Sequence, residues 1–514
     1  MDHRIARRTL LVAVLGGLAA ELVFDRQPLG IGVPTFVLIV LGLVTVFSPT
    51  WRPADRLDWW LPATAVAASL GPALRTDPTV VFLDAILIVV AVASWSVAVS
   101  GVAVTRRTAD AVIALAVAAG AAMAAAPAWL LRRLLGQQAL ASVIRTGGRA
   151  APFVRGVVIA VPIVAGFAFL LGSADAVFGH ALDDAFRFSF NIDDVAGRSA
   201  FTLIAAALIS GPIAVAAGAA GSAGFPVGSL AAVEGLGGTS APAEPAASTH
   251  RAGMTEAIVV LVAVDLLFAA FAAVQVVFLF GGRDTLAAIG MTYSDYARQG
   301  YFQLVGVVAL AGMLVIGAHH GVGRTRVFLA AALVLLVLTS VILVSAAVRL
   351  ALYQGAFGWT ELRFFVAASI AWLALALVGA IALLALARMR WLPHLLAMSA
   401  VAVTLAVSAI GPQAFVMQQN VARILDPSRV APGGFAGVDI EYGMTLGDDA
   451  IPALVQAVEL VPTGAGETLR RQLELRYGEL RAEARTDGLL SWNLARDAAR
   501  IALAGFLDPY GPTD

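Results

Sequence analysis

Long apolar runs fill the first four hundred residues, parted by short gaps that carry arginine or acid, and the last hundred residues turn polar. A spanning helix needs roughly 20 mainly apolar residues, and about twelve windows qualify. They lie near 9–24, 30–47, 59–74, 79–99, 109–131, 154–172, 199–219, 256–280, 300–318, 327–348, 362–386 and 393–411. The runs are continuously apolar, without the in-out alternation of barrel strands, so they predict helices that satisfy their own backbone in hydrocarbon. The predicted fold is an all-α polytopic transmembrane bundle.

Breaks in the pattern divide it. Residues 1–219 form a first bundle, and residues 220–252 are a flexible linker of Gly, Ala, Pro and Ser. A second bundle covers 253–412, and 413–514 reads as a small soluble helical domain. In that tail, Asp448 or Asp449 is placed to cap a helix start before Pro452. Residues 467–485 read as a solvated helix with charges of both signs. Ser491 is placed as the N-cap of a last helix with Leu494, Ala498, Ile501 and Ala502 facing inward. Residues 173–198 carry Asp175, Asp183, Asp184, Asp193 and Asp194 and read as an acidic extramembrane loop.

Composition agrees: 60% hydrophobic and 13% charged, with a mean hydropathy of +0.87, is more apolar surface than one soluble core hides. Basic and acidic residues balance at 34 each, and every basic one is arginine, so no field points to nucleic acid. Cysteine is absent, which excludes disulfides and thiolate metal sites. The opening MDHRIARR and TLLVAVLGGLAA have the parts of a secretory signal, but Glu21 and the further apolar runs favour a retained first helix. The two sets of loop arginines are too evenly matched to orient the bundle by the positive-inside rule. The cluster from Arg132 to Arg155 suits either a helix at the membrane surface or a solvated loop. An even span count puts the N-terminus and the tail on one side, expected to be the cytoplasmic side of the cell membrane.

Few ionisable groups fall inside the runs, and each is costly there. Asp265 sits inside its window with Gln275 ten residues on, about 80° around the helix and about 15 Å along it. The pair suits a polar cavity or hydrogen bonds to neighbouring helices. Glu21 and Asp84 are read as lying near helix ends, where snorkelling or an interfacial pair explains them. Arg349 and Arg363 flank the predicted loop ALYQGAFGWTEL, and with Glu361 they suit an anionic headgroup or carboxylate. The alternative is an interfacial anchor with Tyr353 and Trp359. Arg298, among Tyr293, Tyr296 and Tyr301, suits the interface or a partner such as Asp175 or Asp265. His319 and His320 diverge on a helix and do not chelate one metal. There is no catalytic constellation, no cofactor fingerprint and no complete metal set: no GxSxG or HExxH occurs, and GLGG at 235–238 lacks the context of a phosphate loop.

Several words in order resemble bacterial integral membrane protein families of unknown function, DUF4173 and DUF4153. They are LAAELVFDRQPLGIGVPTF, LLGSADAVF, DLLFAAFAAVQVVFLFGG, MTYSDYARQGYFQL, SAAVRLALYQGAFGWTELRFF and NVARILDPSRVAPGGFAGVDIEYGMTLGDDAIPAL, and they cover nearly the whole chain. The resemblance implies an integral membrane protein with no established activity. It draws attention to Ser173, Ala174, Asp175, Asp265, Gln275, Tyr296, Arg298, Gly300, Phe302, Arg349, Tyr353, Gly358, Thr360, Arg363, Asn420 and Arg423. It also implies an acidic residue where this chain has Gln413.

A non-catalytic membrane scaffold or signalling and regulatory partner stands first, embedded in the lipid bilayer and binding protein through its C-terminal domain. A secondary transporter or permeation protein using Asp265 and Gln275 stands second. An intramembrane enzyme on a lipid-linked substrate stands third, with Asp175, Arg298, Arg349 and Arg363 as its interfacial set.

Overall fold

The computed structural model describes residues 2–24, 28–48, 51–105, 326–431, 434–435 and 437–507, with isolated positions between 202 and 311. The linker, the acidic loop, the segment from Arg132 to Arg155 and nearly all of the windows between 109 and 318 lie outside these residues. So do Asp175, Gln275 and Arg298.

The described residues are all-α, with thirteen α-helices. The first group is α1 (Asp2–Phe24), α2 (Gly32–Val46), α3 (Trp60–Ser69), α4 (Gly71–Leu74) and α5 (Pro78–Val99). The second is α6 (Arg326–Phe357), α7 (Glu361–Ala385) and α8 (Leu392–Ile410). The tail holds α9 (Pro412–Leu425), α10 (Ile440–Thr445), α11 (Ile451–Ala457), α12 (Thr463–Thr486) and α13 (Leu494–Leu507). Among these, α5, α6, α7 and α8 are long and apolar enough to cross a membrane, whereas α1 and α2 carry shorter apolar stretches. Seven of the twelve windows therefore coincide with described helices, and four of those helices have full spanning length and apolarity.

Large apolar side chains point outward, as bilayer-facing residues do. Leu22, Leu38, Val89 and Val378 are exposed, and only 11% of the apolar window of α8 is buried. Polar side chains tie the helices inside. Trp95 Nε1 donates to Thr45 Oγ1 at 2.9 Å between α5 and α2, and Trp372 Nε1 to Ser399 Oγ at 3.1 Å between α7 and α8. Such interhelical bonds replace the hydrophobic drive that is missing in lipid. Asp77 caps α5 through Thr79 N at 2.8 Å with Pro78 in the first turn, and Thr360 caps α7.

One helix runs further than its apolar pattern. The window 327–348 becomes α6 ending at Phe357, so ALYQGAF is helical and the turn shrinks to Gly358–Thr360. Hydrogen bonds from the Arg423 side chain and from the tail backbone to the helix-end carbonyls hold those last turns.

The tail meets the connections α1–α2, α4–α5 and α6–α7 at one end of the bundle. Ile31 N donates to Trp492 O at 2.9 Å, Asn493 Nδ2 to Pro72 O at 2.9 Å, and Trp359 N to Asn420 Oδ1 at 2.7 Å. The far end holds the start of α3 and the end of α5, where the Asp58 carboxylate accepts from Val104 N at 3.1 Å and Thr105 N at 2.8 Å. Since α1 leads into the tail-side connection, its N-terminal end lies at the far end, about 34 Å away along the helix. Among the described residues the start of α1 and the tail therefore lie at opposite ends of the bundle, whereas an even span count is expected to put the N-terminus and the tail on one side.

The tail also shares a core with the bundle. Val80 of α5, Phe364 of α7 and Val407 of α8 pack in one buried cluster with Met417, Leu454, Leu469, Leu473 and Leu503. Two cap assignments change. Asp448 and Asp449 cap nothing, because both carboxylates are drawn into ion pairs, and α13 is capped by Asn493, whose Oδ1 accepts from Arg496 N at 3.1 Å. The inward face of α13 is Ala495, Ala499 and Leu503, with Leu494 and Ile501 exposed. The bonds from Asn493 to the α4–α5 connection set that rotation.

Candidate functional site

The polar groups concentrate in the seam between bundle and tail, and helix ends explain why. The last carbonyls of an α-helix lack intrahelical donors, and its C-terminal dipole favours a cation. Both α6 and α8 point such ends at the tail, and arginines fill them.

Arg423, on α9 and 4% exposed, donates from Nη1 to Gln354 O at 2.6 Å and Gly355 O at 2.8 Å. Its Nη2 reaches Ala356 O at 3.3 Å and Phe435 O at 2.8 Å. Burial, and then the nearby Arg363 guanidinium, lower the pKa of Arg423 from its usual range. Arg363 donates from Nη1 to Phe357 O at 3.2 Å and Gly358 O at 2.5 Å, and lies over the Tyr353 ring at 4.1 Å. It thus holds the end of α6 together with Tyr353. Asn420 clamps the adjoining Trp359 backbone, accepting from N at 2.7 Å and donating to O at 2.9 Å. Arg349 is buried within α6.

At α8, Arg75 Nε donates to Ser408 O at 2.9 Å and Nη2 to Ala409 O, while Nη1 lies 3.4 Å from the Asp449 carboxylate. The approach is close because residue 411 is glycine at φ 72°, where a Cβ would sit 2.5 Å from Arg75 Cζ. Asp449 also accepts from Thr76 N at 2.7 Å and Thr76 Oγ1 at 2.8 Å. Its neighbour Asp448 faces the tail, where Arg476 grips it from Nε and Nη2 at 2.9 Å each. Those bonds raise the pKa of Arg476. Two adjacent aspartates thus join the tail to the bundle and to itself.

Gln413 is the hinge between these halves. Its Nε2 donates to Glu361 Oε1 at 3.0 Å and its Oε1 accepts from Gly447 N at 2.9 Å. A carboxylate in this place makes the first bond only when protonated and cannot make both when ionised. The amide therefore suits this chain's Glu361. Tyr442, whose hydroxyl accepts from Glu361 N at 2.8 Å, has its phenol pushed up to about 12, mainly by burial.

Asp77, just outside the span of α5, is fully buried, and its Oδ2 has no hydrogen-bond partner. Burial first, then the Glu361 charge, push its carboxyl up to about 6. The folded protein therefore holds the proton more tightly than the unfolded chain, and stability falls as pH rises through roughly 4 to 6. Asp77→Asn keeps the capping oxygen and removes the charge. It is expected to match the wild type at pH 4 and to exceed it in melting temperature at pH 7.5, measured in detergent. A wild-type curve that stays parallel to the variant at every pH contradicts that burial cost.

Asp84 corrects the helix-end reading. It lies two turns inside α5, fully buried, accepting from Ser408 Oγ of α8 at 2.6 Å, with Oδ1 unpartnered. Room for it comes from Gly71, where a Cβ would fall 1.7 Å from Asp84 Oδ2. Gly71→Ala is expected to cost about 1–3 kcal/mol by overpacking, and to cost almost nothing in an Asp84→Ala background. A double-mutant cycle in melting temperature measures this. Equal costs in both backgrounds refute the contact. Glu21 does sit in the last turn of α1 and accepts from Thr202 Oγ1 at 3.0 Å. Asp265 is buried with Oδ1 unpartnered.

The described residues contain no cluster of three or more histidines and acids able to hold a metal. The cleft between α12 and α13 has its ions paired internally, Arg496 with Asp487 and Arg500 with Asp497.

The sequence profile described as Domain of unknown function (DUF4153) matches residues 63–457, more than three quarters of the chain. The chain belongs to this family. The matched DUF4153 region runs from α3 to the end of α11, so it takes in Arg75, Asp84, Glu361, Gln413, Arg423 and Asp449 together. Both sides of the seam are therefore inside the family domain, while Arg476 and Asn493 lie beyond it. Comparison with curated proteins and with solved structures finds no match.

Of the residues singled out from the sequence, Arg363, Tyr353, Gly358, Asn420 and Arg423 come together around the end of α6. Arg75, Thr76, Asp77 and Asn493 were missed. The signal for Arg75 was an arginine two residues before a helix-capping Asp-Pro pair.

Proposed function

We propose that this DUF4153 protein is a non-catalytic integral membrane scaffold or regulatory partner of the bacterial cell membrane, whose helical tail and bundle act as one body. The observation that carries this is the seam: its arginines cap helix ends and its aspartates join neighbouring elements. The exposed charged face of α12 is then the surface offered to a protein partner, on the cytoplasmic side. A photo-crosslinking residue at Leu475, which is 66% exposed on α12, is expected to give one discrete adduct in intact membranes. Protein in vesicles loaded with a pH-sensitive dye is expected to pass no protons.

A second reading, a secondary transporter, is favoured by the unpartnered buried oxygens of Asp84 and Asp265. On this reading Gln275 joins Asp265 at the polar site. Proton or ion flux that Asp84→Asn or Asp265→Asn abolishes would overturn the scaffold and establish the transporter.

A further inference from the structure

The α8 helix is zipped to the first group of helices at one end only. Its buried residues are Leu392 at the start and Val407 and Ser408 near the tail. Between them the helix stands off α3 and α5, leaving an apolar cleft of about 400 Å³ whose walls include Leu83, Ile86, Val90, Ala397, Ala400 and Val401. Small side chains on α8 face larger ones on α5, so the gap is built into the sequence.

At the mouth of the cleft lies His394, in the first turn of α8, with Trp391 beside it at 5.2 Å and Trp60 across the opening. Tryptophans at this level mark the headgroup boundary of a bilayer. Both ring nitrogens of His394 are buried without a hydrogen-bond partner. A buried imidazole N–H without an acceptor is costly, and it marks a place where a ligand atom belongs. The other polar groups at the mouth are already engaged: Trp60 Nε1 donates to Thr105 Oγ1 at 2.9 Å, and Thr105 N donates to Asp58.

The length fits one occupant. From His394 to Thr404, the far wall, ten residues rise about 15 Å, which is half of a hydrocarbon core of about 30 Å. The cleft thus begins at headgroup level and ends near the bilayer midplane.

We propose that this cleft is a site for a membrane phospholipid, one acyl chain of which lies between α5 and α8 while its ester carbonyl accepts a hydrogen bond from His394. The lipid wedges the two helix groups apart at the end away from the tail and leaves the seam untouched. The site is independent of the scaffold reading, since a transporter would hold the same lipid.

The test uses the full-length protein in vesicles of phosphatidylethanolamine and phosphatidylglycerol containing a phosphatidylglycerol with a diazirine midway along one acyl chain. After illumination, label is expected in peptides covering 83–94 and 397–404 well above that on Leu375 and Val378, which face outward from α7. Ala400→Phe, which fills the cleft, is expected to remove the excess and leave the α7 label unchanged. His394→Ala is expected to lower lipid retention through detergent washing about tenfold, the worth of one buried hydrogen bond, with His394→Gln restoring most of it. Wild-type label that is equal on the cleft and on α7 means annular lipid only and overturns the proposal, whether or not Ala400→Phe folds. Retention unchanged in His394→Ala overturns the headgroup contact.

Discussion

Asp449→Ala is expected to loosen the tail from the bundle and to lower the melting temperature in detergent more than any other single change in the seam except at Arg423. The Asp449 side chain is 1% exposed and accepts from Thr76 N and Oγ1 while facing Arg75. Removing it leaves the half-buried amide and hydroxyl of Thr76 without this acceptor and a half-buried guanidinium without its counter-charge. Breaking one side of a shielded pair costs about 3–5 kcal/mol. Arg75 keeps its bonds to Ser408 O and Ala409 O, so Arg75→Ala is expected to add less than its own cost when combined with Asp449→Ala. The loss is expected to change little between low and high salt, because the pair is shielded from solvent ions. Melting curves at two ionic strengths check both points. An unchanged midpoint would mean that the shared apolar core alone holds the tail.

Arg423→Ala is expected to fray the last turns of α6. The side chain makes four charge-assisted bonds to carbonyls, three of them on the helix end. Each such bond is worth about 1.5–3 kcal/mol. Three of these carbonyls keep a second donor, since Gly358 N, Ala431 N and Phe435 N reach Gln354 O, Gly355 O and Ala356 O at 2.9 Å. Non-additivity then holds the loss to about 3–5 kcal/mol. Arg423→Lys is expected to recover little of it, because a point ammonium with three donors cannot span acceptors that lie on both sides of a planar fork. Faster amide exchange across 350–357 with α7 unaffected is the expected signature, and exchange that stays as slow as in the wild type would refute the capping role.

Much of the fold is legible in the pattern of residues. Apolar runs predicted α1, α2, α5, α7 and α8 to within a few residues, except that α1 begins earlier, because a helix in lipid must satisfy its backbone internally and therefore continues as far as the apolar run does. The window 59–74 resolves into α3 and α4, with only Leu70 between them. The end of α6 was not legible, since ALYQGAF has the polar content of a loop and is helical because the Arg423 side chain and the backbone N–H groups of Ala431 and Phe435 reach its carbonyls from the tail.

The candidate site was legible in part. Arg363, Asn420 and Arg423 stood out through the family resemblance, while Arg75 and Asp77 resemble any loop residues between two apolar runs. Asp84 was assigned to a helix end because position along one helix was all that could be judged. Its burial depends on Gly71 and Ser408, which are 13 and 324 positions away.

By itself, the sequence determined the apolar runs, the helical class, the approximate extent of most of the long helices, and the words that mark the DUF4153 family. All of these follow from local composition and period, which chain neighbours impose on one another. Only the tertiary structure decided that the tail shares a core with the bundle, that the N-terminus and the tail lie at opposite ends, and which charged groups pair. Ion pairs and helix caps between residues hundreds of positions apart leave no periodic trace along the chain, so only the folded chain reveals that Arg75 meets Asp449 and Asp84 meets Ser408.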